Sequence, residues 1–217
     1  MTHASATSLH ELPTSVDLIA MAVAALFGAH AARIRHVPLF GVLLAGVLAG
    51  LGGGMARDVL LGLEPVAITT WYYIPVVLAT AIIGGSIAHR ISLDPLPFVA
   101  AQGVAIGLLI GIGVQKAVEY RAPGPSAIFL GVVTATIGGA LDDVLTGRRA
   151  TIMREGPWYL SVVAIGAVIF WLFTIYVAFY AAVAITAIVV AALRVLSVGR
   201  GWSSPVFPGD DLHSDDP

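Results

Sequence analysis

Long apolar runs, separated by short stretches that hold most of the charges, constrain this sequence more than any other feature. Hydrophobic residues make up 58% of the chain and charged residues only 11%. Soluble domains average about 25% charged residues, because a water-facing surface needs them. The sequence therefore predicts an all-α integral membrane protein, whose charges gather mainly at the ends of its helices.

Seven segments are long enough to cross a bilayer, which requires about 20 mostly apolar residues. They are residues 16–33, 38–62, 71–88, 96–118, 125–147, 157–176 and 177–196. The last two form one continuous apolar run. As a single helix it would be about 60 Å long, twice the hydrocarbon thickness. We therefore expect a turn near residues 174–179.

Basic residues are distributed unevenly between the two sides that seven spans define. One side holds Arg33, Arg35, Arg90, Arg148, Arg149, Arg154, Arg194 and Arg200. The other side holds only Lys116 and Arg121, with Arg57 inside a span. Because basic loops stay in the cytoplasm, we expect the N-terminus outside and the C-terminus in the cytoplasm. No basic residue precedes the first span, so we expect no cleaved signal peptide.

The sequence divides into two three-helix repeats and one further helix. We expect repeats at residues 15–90 and 91–176 and a seventh helix at 177–198. The polar ends, residues 1–14 and 199–217, have little to bury and are predicted to be disordered.

The repeat is defined by a motif that occurs twice. Residues 53–62 read GGMARDVLLG and residues 138–147 read GGALDDVLTG, identical at six of ten positions. The copies lie in the second and fifth predicted spans. The second half therefore enters the membrane from the opposite face. This is an inverted 3+3 repeat, an arrangement in which a pathway often lies between the halves.

Adjacent glycines begin each copy of the motif. Glycine weakens a helix and permits unusual backbone angles, so helices 2 and 5 are predicted to be kinked there. The glycines concerned are Gly52, Gly53, Gly54, Gly138 and Gly139. The alternative is that they only permit close helix packing. We expect simple packing for the four-residue stripes Gly46/Gly50/Gly54 and Gly103/Gly107/Gly111.

Charged residues follow the glycines in both copies: Arg57 and Asp58 in the first, Asp142 and Asp143 in the second. A charge at the bilayer centre costs about 2.5–3.5 kcal/mol on insertion scales and needs a partner or water. One reading places these residues along a pathway, with Arg57 paired to an aspartate of the other half. The other places them at the membrane surface, as charges that snorkel into the headgroups. Lys116 lines or gates the pathway, or simply anchors the interface.

Several classes of function lack support in the sequence. It contains no cysteine, its six histidines lack the paired spacing of a metal site, and its net charge of −2 offers no basic stripe for nucleic acid. It has no nucleophile-elbow, zinc or intramembrane-protease pattern. We therefore expect neither an enzyme nor a cofactor or metal site.

The sequence resembles the prokaryotic trimeric intracellular cation (TRIC) channel family, also described as having two glycine-transporter-like domains. The resemblance is strongest over residues 52–62 with Pro65 shortly after, and is weaker at residues 27–29 and 113–117. It implies a homotrimer in the inner membrane, with a pore in each subunit formed by kinked helices 2 and 5. It also implies passive conduction of monovalent cations, chiefly K⁺. We expect K⁺ as the main partner, Na⁺ as a second one, and contact with membrane lipids.

The sequence also departs from that family. Lys116 matches a functionally important lysine, but the neighbouring Lys-Glu-Val pattern is absent, and Asp142 stands where many relatives have arginine. We keep a K⁺ channel as the leading hypothesis. The first alternative is a transporter of glycine or another small zwitterion, in which Arg57 and the paired aspartates bind the carboxylate and the amine. The second is a non-conducting scaffold.

Overall fold

The computed structural model describes residues 14–88, 95–153 and 158–203, and most of these residues are helical. The helices are α1 (Thr14–Ile34), α2 (Leu39–Leu60), α3 (Val66–Thr69), α4 (Tyr73–Ile87), α5 (Pro95–Glu119), α6 (Gly124–Leu145), α7 (Leu160–Phe173) and α8 (Phe179–Gly199). A 3₁₀ turn, Thr151–Met153, follows α6. The predicted disordered tails lie outside the described residues, apart from Thr14 and residues 199–203.

An all-helical membrane protein is confirmed. Among the described residues, α1, α2, α5, α6 and α8 are each long and apolar enough to cross a membrane, whereas α4 and α7 have only 15 and 14 residues. The expected turn near residues 174–179 is also confirmed, because α7 ends at Phe173 and α8 begins at Phe179. The short α3 and the 3₁₀ turn were not predicted.

Small residues let the helices approach closely within each half. In the first half, a Cβ on Gly46 would stand 2.5 Å from the Ala81 methyl carbon, and one on Gly50 would stand 2.8 Å from the Met21 carbonyl oxygen. The stripe at Gly103, Gly107 and Gly111 on α5 packs against α8 and against Phe170 of α7. The packing role predicted for both stripes is confirmed.

The two halves meet where α2 crosses α6. A Cβ on Gly53 would overlap the carbonyl oxygen of Thr134, and one on Gly138 would stand 2.6 Å from the carbonyl oxygen of Ala49. Positions 53 and 138 are equivalent in the motif, and so are 49 and 134, which lie four residues before them. As the residue number rises along α2 it falls along α6, so the helices run antiparallel. The glycines at this crossing are needed for backbone contact.

The helix assignment continues through the glycines in both α2 and α6. These glycines therefore do not break the helix. A bend without a break at these positions stays a prediction.

The ends of α2 and α6 follow one plan. Each helix is preceded by a proline, Pro38 or Pro123, and is followed by a glycine with positive φ, Gly62 at 71° or Gly147 at 74°. The amide two residues beyond the C-cap donates to the carbonyl of Asp58 (2.9 Å) in the first half and of Asp143 (2.8 Å) in the second. This is the Schellman motif, in which glycine adopts the left-handed conformation at little cost. It accounts for the last glycine of each motif copy.

Candidate functional site

Each motif aspartate binds the segment that follows its own helix. The Asp58 Oδ2 atom accepts a hydrogen bond of 3.1 Å from the amide of Val66, eight residues later. The Asp143 Oδ2 atom accepts one of 2.7 Å from the amide of Thr151, also eight residues later, and one of 2.6 Å from its hydroxyl. Val66 begins α3 and Thr151 begins the 3₁₀ turn. The shared aspartates thus tie the ends of α2 and α6 to the next segments.

The other carboxylate oxygen of Asp58 is shared by two cations. The Arg57 Nη2 atom lies 2.8 Å from Asp58 Oδ1 and its Nε donates to the same oxygen at 2.9 Å. Lys116 Nζ, at the end of α5, also lies 2.9 Å from this oxygen. The Arg57 and Asp58 side chains are 1% and 2% exposed, so the network is shielded from solvent. The Lys116–Asp58 bond joins the second half of the chain to the first.

Arg57 also faces α1. Its Nη1 atom lies 3.9 Å from Asp17 Oδ1, and the Tyr73 hydroxyl donates to Asp17 Oδ2 at 2.8 Å. The expected pairing of Arg57 with an aspartate of the other half was wrong. Its acidic partners, Asp17 and Asp58, both belong to the first half.

A cavity of about 250 Å³ lies beside this network, and we call it the Lys116 cavity. Its charged lining residues are Asp17, Arg57, Lys116 and Glu119, and Tyr73 lies among its aromatic ones. The cavity wall therefore contains both acidic and basic groups, which ions and polar molecules can approach.

The second motif copy has no arginine at the position of Arg57, and its charges are arranged differently. Asp143 pairs with Arg148, whose Nη1 lies 3.1 Å from Asp143 Oδ1. Asp142 is 5% exposed, and its Oδ1 atom has no hydrogen-bond partner among the described residues. Arg35 is close enough to act on Asp142 electrostatically. One buried carboxylate oxygen is thus left open in the second half.

A second cavity of about 190 Å³, the Asp142 cavity, lies between the halves. It is lined by both motif aspartates, by Arg35, and by polar side chains from four further positions: Gln102, Thr136, Thr151 and Tyr159. Glycines and apolar residues of α1, α2, α5 and α6, with Ile152 of the 3₁₀ turn, form the rest of its wall. Because one water takes up about 30 Å³ in the liquid, the cavity has room for several waters or a hydrated ion.

The helix α8, outside the predicted repeat, supports this cavity. Its Arg194 is 7% exposed, and the guanidinium carbon lies 5.0 Å from the centre of the Tyr159 ring. Arg194 Nη2 also donates to Gln102 Oε1 at 3.4 Å. Beyond the helix, Trp202 packs on Trp158 at 5.2 Å between ring centres, so this part of the C-terminal segment is held against the second half.

The structure separates the predicted charges into two groups. Arg57 and Asp58 lie five and six residues beyond Gly52, whose Cβ would stand 3.1 Å from the Gly138 Cα atom, and Asp142 lies four residues beyond Gly138. Since the helices are antiparallel, Arg57 and Asp142 lie about 14 Å apart along the crossing. The four residues therefore do not form one site. Lys116 joins the first group.

Sequence reasoning missed Asp17, Gln102, Arg194 and Tyr73 as members of these sites. Asp17 and Arg194 could have been identified from the sequence, because an ionisable residue within an apolar span is a candidate for function. Gln102 and Tyr73 carried none, because a lone amide or an interfacial tyrosine is ordinary in a membrane helix.

An all-helical membrane protein with polar cavities on both sides of a central helix crossing is the class that these observations define. A family model described as "Glycine transporter" matches the chain twice, at residues 14–91 and 98–175. The UPF0126 inner membrane protein YadS of Escherichia coli (strain K12) is 32% identical over 161 residues, 71% of this chain and 75% of that protein. A UPF0126 membrane protein of Deinococcus radiodurans is 27% identical over 203 residues, covering 93% and 92%. The chain belongs to this glycine-transporter-domain family, to which the TRIC channels are related.

Solved structures agree with this assignment. A TRIC channel orthologue from Rhodobacter sphaeroides superposes with a TM-score of 0.78 at 25% identity, covering 86% of this chain and 97% of that one. A second TRIC cation channel structure gives a TM-score of 0.78 at 22% identity, covering 89% and 96%. The resemblance read from the sequence is confirmed, and the chain has the all-helical membrane fold of the TRIC channels.

Proposed function

We propose that this protein is a passive channel for monovalent cations, chiefly K⁺, with a pathway inside each chain between its two halves. The observation that carries the proposal is the pair of polar cavities, one on each side of the α2–α6 crossing, with side chains from both halves lining each of them. The match to TRIC cation channel structures supports the same conclusion.

The proposed pathway is closed in this conformation. On α1 the Lys116 cavity reaches Asp17 and the Asp142 cavity reaches Ala24, and on α5 they reach Lys116 and Leu109. Seven helical residues separate the cavities on each helix, which corresponds to about 10 Å. Ala20 and Ile112 lie in this interval and are fully buried. Conduction therefore requires α1 and α5 to separate.

The Lys116–Asp58 bond is placed to control that separation. It joins the end of α5 to the end of α2 beside the Lys116 cavity, and Asp58 also holds Arg57. Breaking the bond would free α5 to move away from the first half. We propose that Lys116 acts as a gating residue.

The proposed membrane arrangement is seven crossing helices in an inverted 3+3 repeat, with bends at the motif glycines of α2 and α6. In this arrangement α4 and α7 cross despite their shorter helical parts. The N-terminus lies outside and the C-terminus in the cytoplasm. The equivalent contacts Gly53–Thr134 and Gly138–Ala49 support the repeat, and so do the two Schellman ends. A homotrimer in the prokaryotic plasma membrane, in contact with lipids, completes the proposal.

Transport of glycine or another small zwitterion is the second candidate. Arg35 and Asp142 line the same cavity, so one side chain could bind a carboxylate and the other an ammonium group. The description of the matching family model favours this alternative.

Flux through liposomes separates these functions. With the purified protein reconstituted, we expect K⁺ release down its gradient that needs no added solute, with valinomycin giving the total releasable K⁺. Saturable uptake of radiolabelled glycine without K⁺ release would instead support the transporter. If neither flux exceeds that of protein-free vesicles, both functions fail.

A further inference from the structure

The open carboxylate oxygen of Asp142 distinguishes the second half of the chain from the first. In the first half, Asp58 Oδ1 is occupied by Arg57 and Lys116 at 2.8–2.9 Å. In the second half, Asp143 is held by Thr151 and Arg148. Asp142 replaces the arginine of the first copy, and its buried Oδ1 has no hydrogen-bond partner in the part of the chain described. Because a buried anionic oxygen without a partner is costly, a cation bound at this atom would stabilise the ionised carboxylate.

The surroundings of Asp142 offer oxygen ligands. Thr136 and Gln102 line the same cavity. The Thr136 hydroxyl donates its proton to the carbonyl of Val132 at 2.8 Å, which leaves its oxygen lone pairs to face a cation. The Gln102 carbonyl oxygen accepts one long hydrogen bond of 3.4 Å from Arg194 and keeps further acceptor capacity. Carboxylate, hydroxyl and amide oxygens are ligands for hard cations.

The charge of the cavity wall favours a single positive charge. Its charged lining residues are Asp142, Asp143 and Arg35, with a formal sum of −1. A monovalent cation would neutralise these three lining groups, whereas a divalent one would leave a surplus charge beside Arg35. The buried Arg194, which donates to Gln102 Oε1 at 3.4 Å, adds a positive charge next to the wall and so weighs further against a divalent ion. Arg148, which pairs with Asp143, has a side chain that is 23% exposed, so water screens its contribution.

We propose that the Asp142 cavity contains a binding site for a partly dehydrated monovalent cation, with Asp142 Oδ1 as its anionic ligand and Thr136 and Gln102 as neutral oxygen ligands. The role of this site in cation conduction rests on the proposed function. The binding itself does not.

Thallium(I), a K⁺ substitute with strong anomalous scattering, tests the site directly. In crystals of the full chain grown with Tl⁺, we expect an anomalous peak in the Asp142 cavity next to Asp142 Oδ1. The peak should disappear in Asp142→Asn and be retained in Asp142→Glu. Glu64→Gln, which removes one exposed carboxylate outside the cavity, is the matched control and should leave the peak unchanged.

Wild-type crystals provide a second measurement that needs no variant. Excess K⁺ should reduce the Tl⁺ peak, whereas Mg²⁺ at equal ionic strength should not. The proposal is overturned if the wild-type cavity shows no peak, if Asp142→Asn keeps it at full height, or if Mg²⁺ displaces Tl⁺ as well as K⁺ does. A Tl⁺ peak in a protein that conducts no K⁺ in liposomes would support the binding site and contradict the channel function. K⁺ conduction without a Tl⁺ peak would support the channel function and contradict the binding site.

Discussion

At the scale of single residues, Asp58 carries the most interactions in the first half. It accepts from Arg57, Lys116 and the amide of Val66 while almost fully buried. Removing one member of a buried ion pair leaves the other charge without compensation, which typically costs about 3–5 kcal/mol. The charge of Asp58 is therefore compensated by groups of the protein itself: two cations and one backbone amide.

The coupling between Lys116 and Asp58 is measurable by a double-mutant cycle. We expect Lys116→Met and Asp58→Asn each to lower the unfolding free energy, and the double variant to lower it by about 2 kcal/mol less than the sum of the two. Reversible unfolding of the purified protein in detergent micelles gives the four values. Tyr120→Phe, an exposed position near the end of α5, serves as the unrelated partner and should be additive with Asp58→Asn. Additivity of the Lys116 pair would show that the 2.9 Å contact contributes nothing to stability.

Lys116 is also the residue on which gating is expected to depend. It is the only lysine in the sequence. If its bond to Asp58 keeps α5 against the first half, Lys116→Gln should raise the open probability in planar bilayers several-fold, and Lys116→Arg should retain the closed state. Single-channel recordings with K⁺ on both sides measure both variants. An unchanged or lower open probability for Lys116→Gln would contradict the gating role.

At the scale of helices, the α2–α6 crossing shows how far the sequence could predict the site. The repeated motif predicted that the two helices correspond and that charges follow their glycines. It did not show that Gly53 and Gly138 pack on the opposite backbone, because sequence periodicity says nothing about which helices cross. The roles of Asp58 and Asp143 were missed for a related reason. Their hydrogen bonds reach residues eight positions later, beyond the range of helical periodicity.

The crossing makes a prediction that separates packing from flexibility. Gly53→Ala should destabilise the protein by more than 2 kcal/mol, because its Cβ would overlap the Thr134 backbone and the helices would have to separate. Gly139→Ala, in the same motif, has no atom within 4 Å of the new Cβ and should be neutral or slightly stabilising, since alanine favours a helix over glycine. Thermal unfolding in detergent compares the two. Equal destabilisation would mean that helix flexibility, and not contact, explains these glycines.

At the scale of the whole molecule, the two halves share one construction and differ in charge. Each has a proline before its motif helix, a Schellman end and an aspartate bound to the next segment. The first half fills its polar site with Arg57 and receives Lys116, whereas the second leaves Asp142 open to a cavity. A pathway built from such halves would have a charge-balanced entrance, closed by the Lys116–Asp58 bond, at one end and an acidic entrance at the other. This difference in charge separates the two sides of the membrane only if the two halves are inverted with respect to each other.

Cysteine labelling tests that inversion, and the natural chain, which has no cysteine, is its own background control. Glu64 and Met153 are both exposed and lie in the segments that follow the two motif helices. With the N-terminus outside, Glu64→Cys lies outside and Met153→Cys lies in the cytoplasm. A membrane-impermeant maleimide should therefore label Glu64→Cys in intact spheroplasts and Met153→Cys only after lysis. Ser203→Cys, just beyond α8, should behave like Met153→Cys, because the proposed topology places both positions on the cytoplasmic side. Labelling of Glu64→Cys and Met153→Cys from the same side would exclude an inverted repeat. The opposite pattern would keep the repeat and reverse the orientation, placing the Lys116 cavity on the cytoplasmic side.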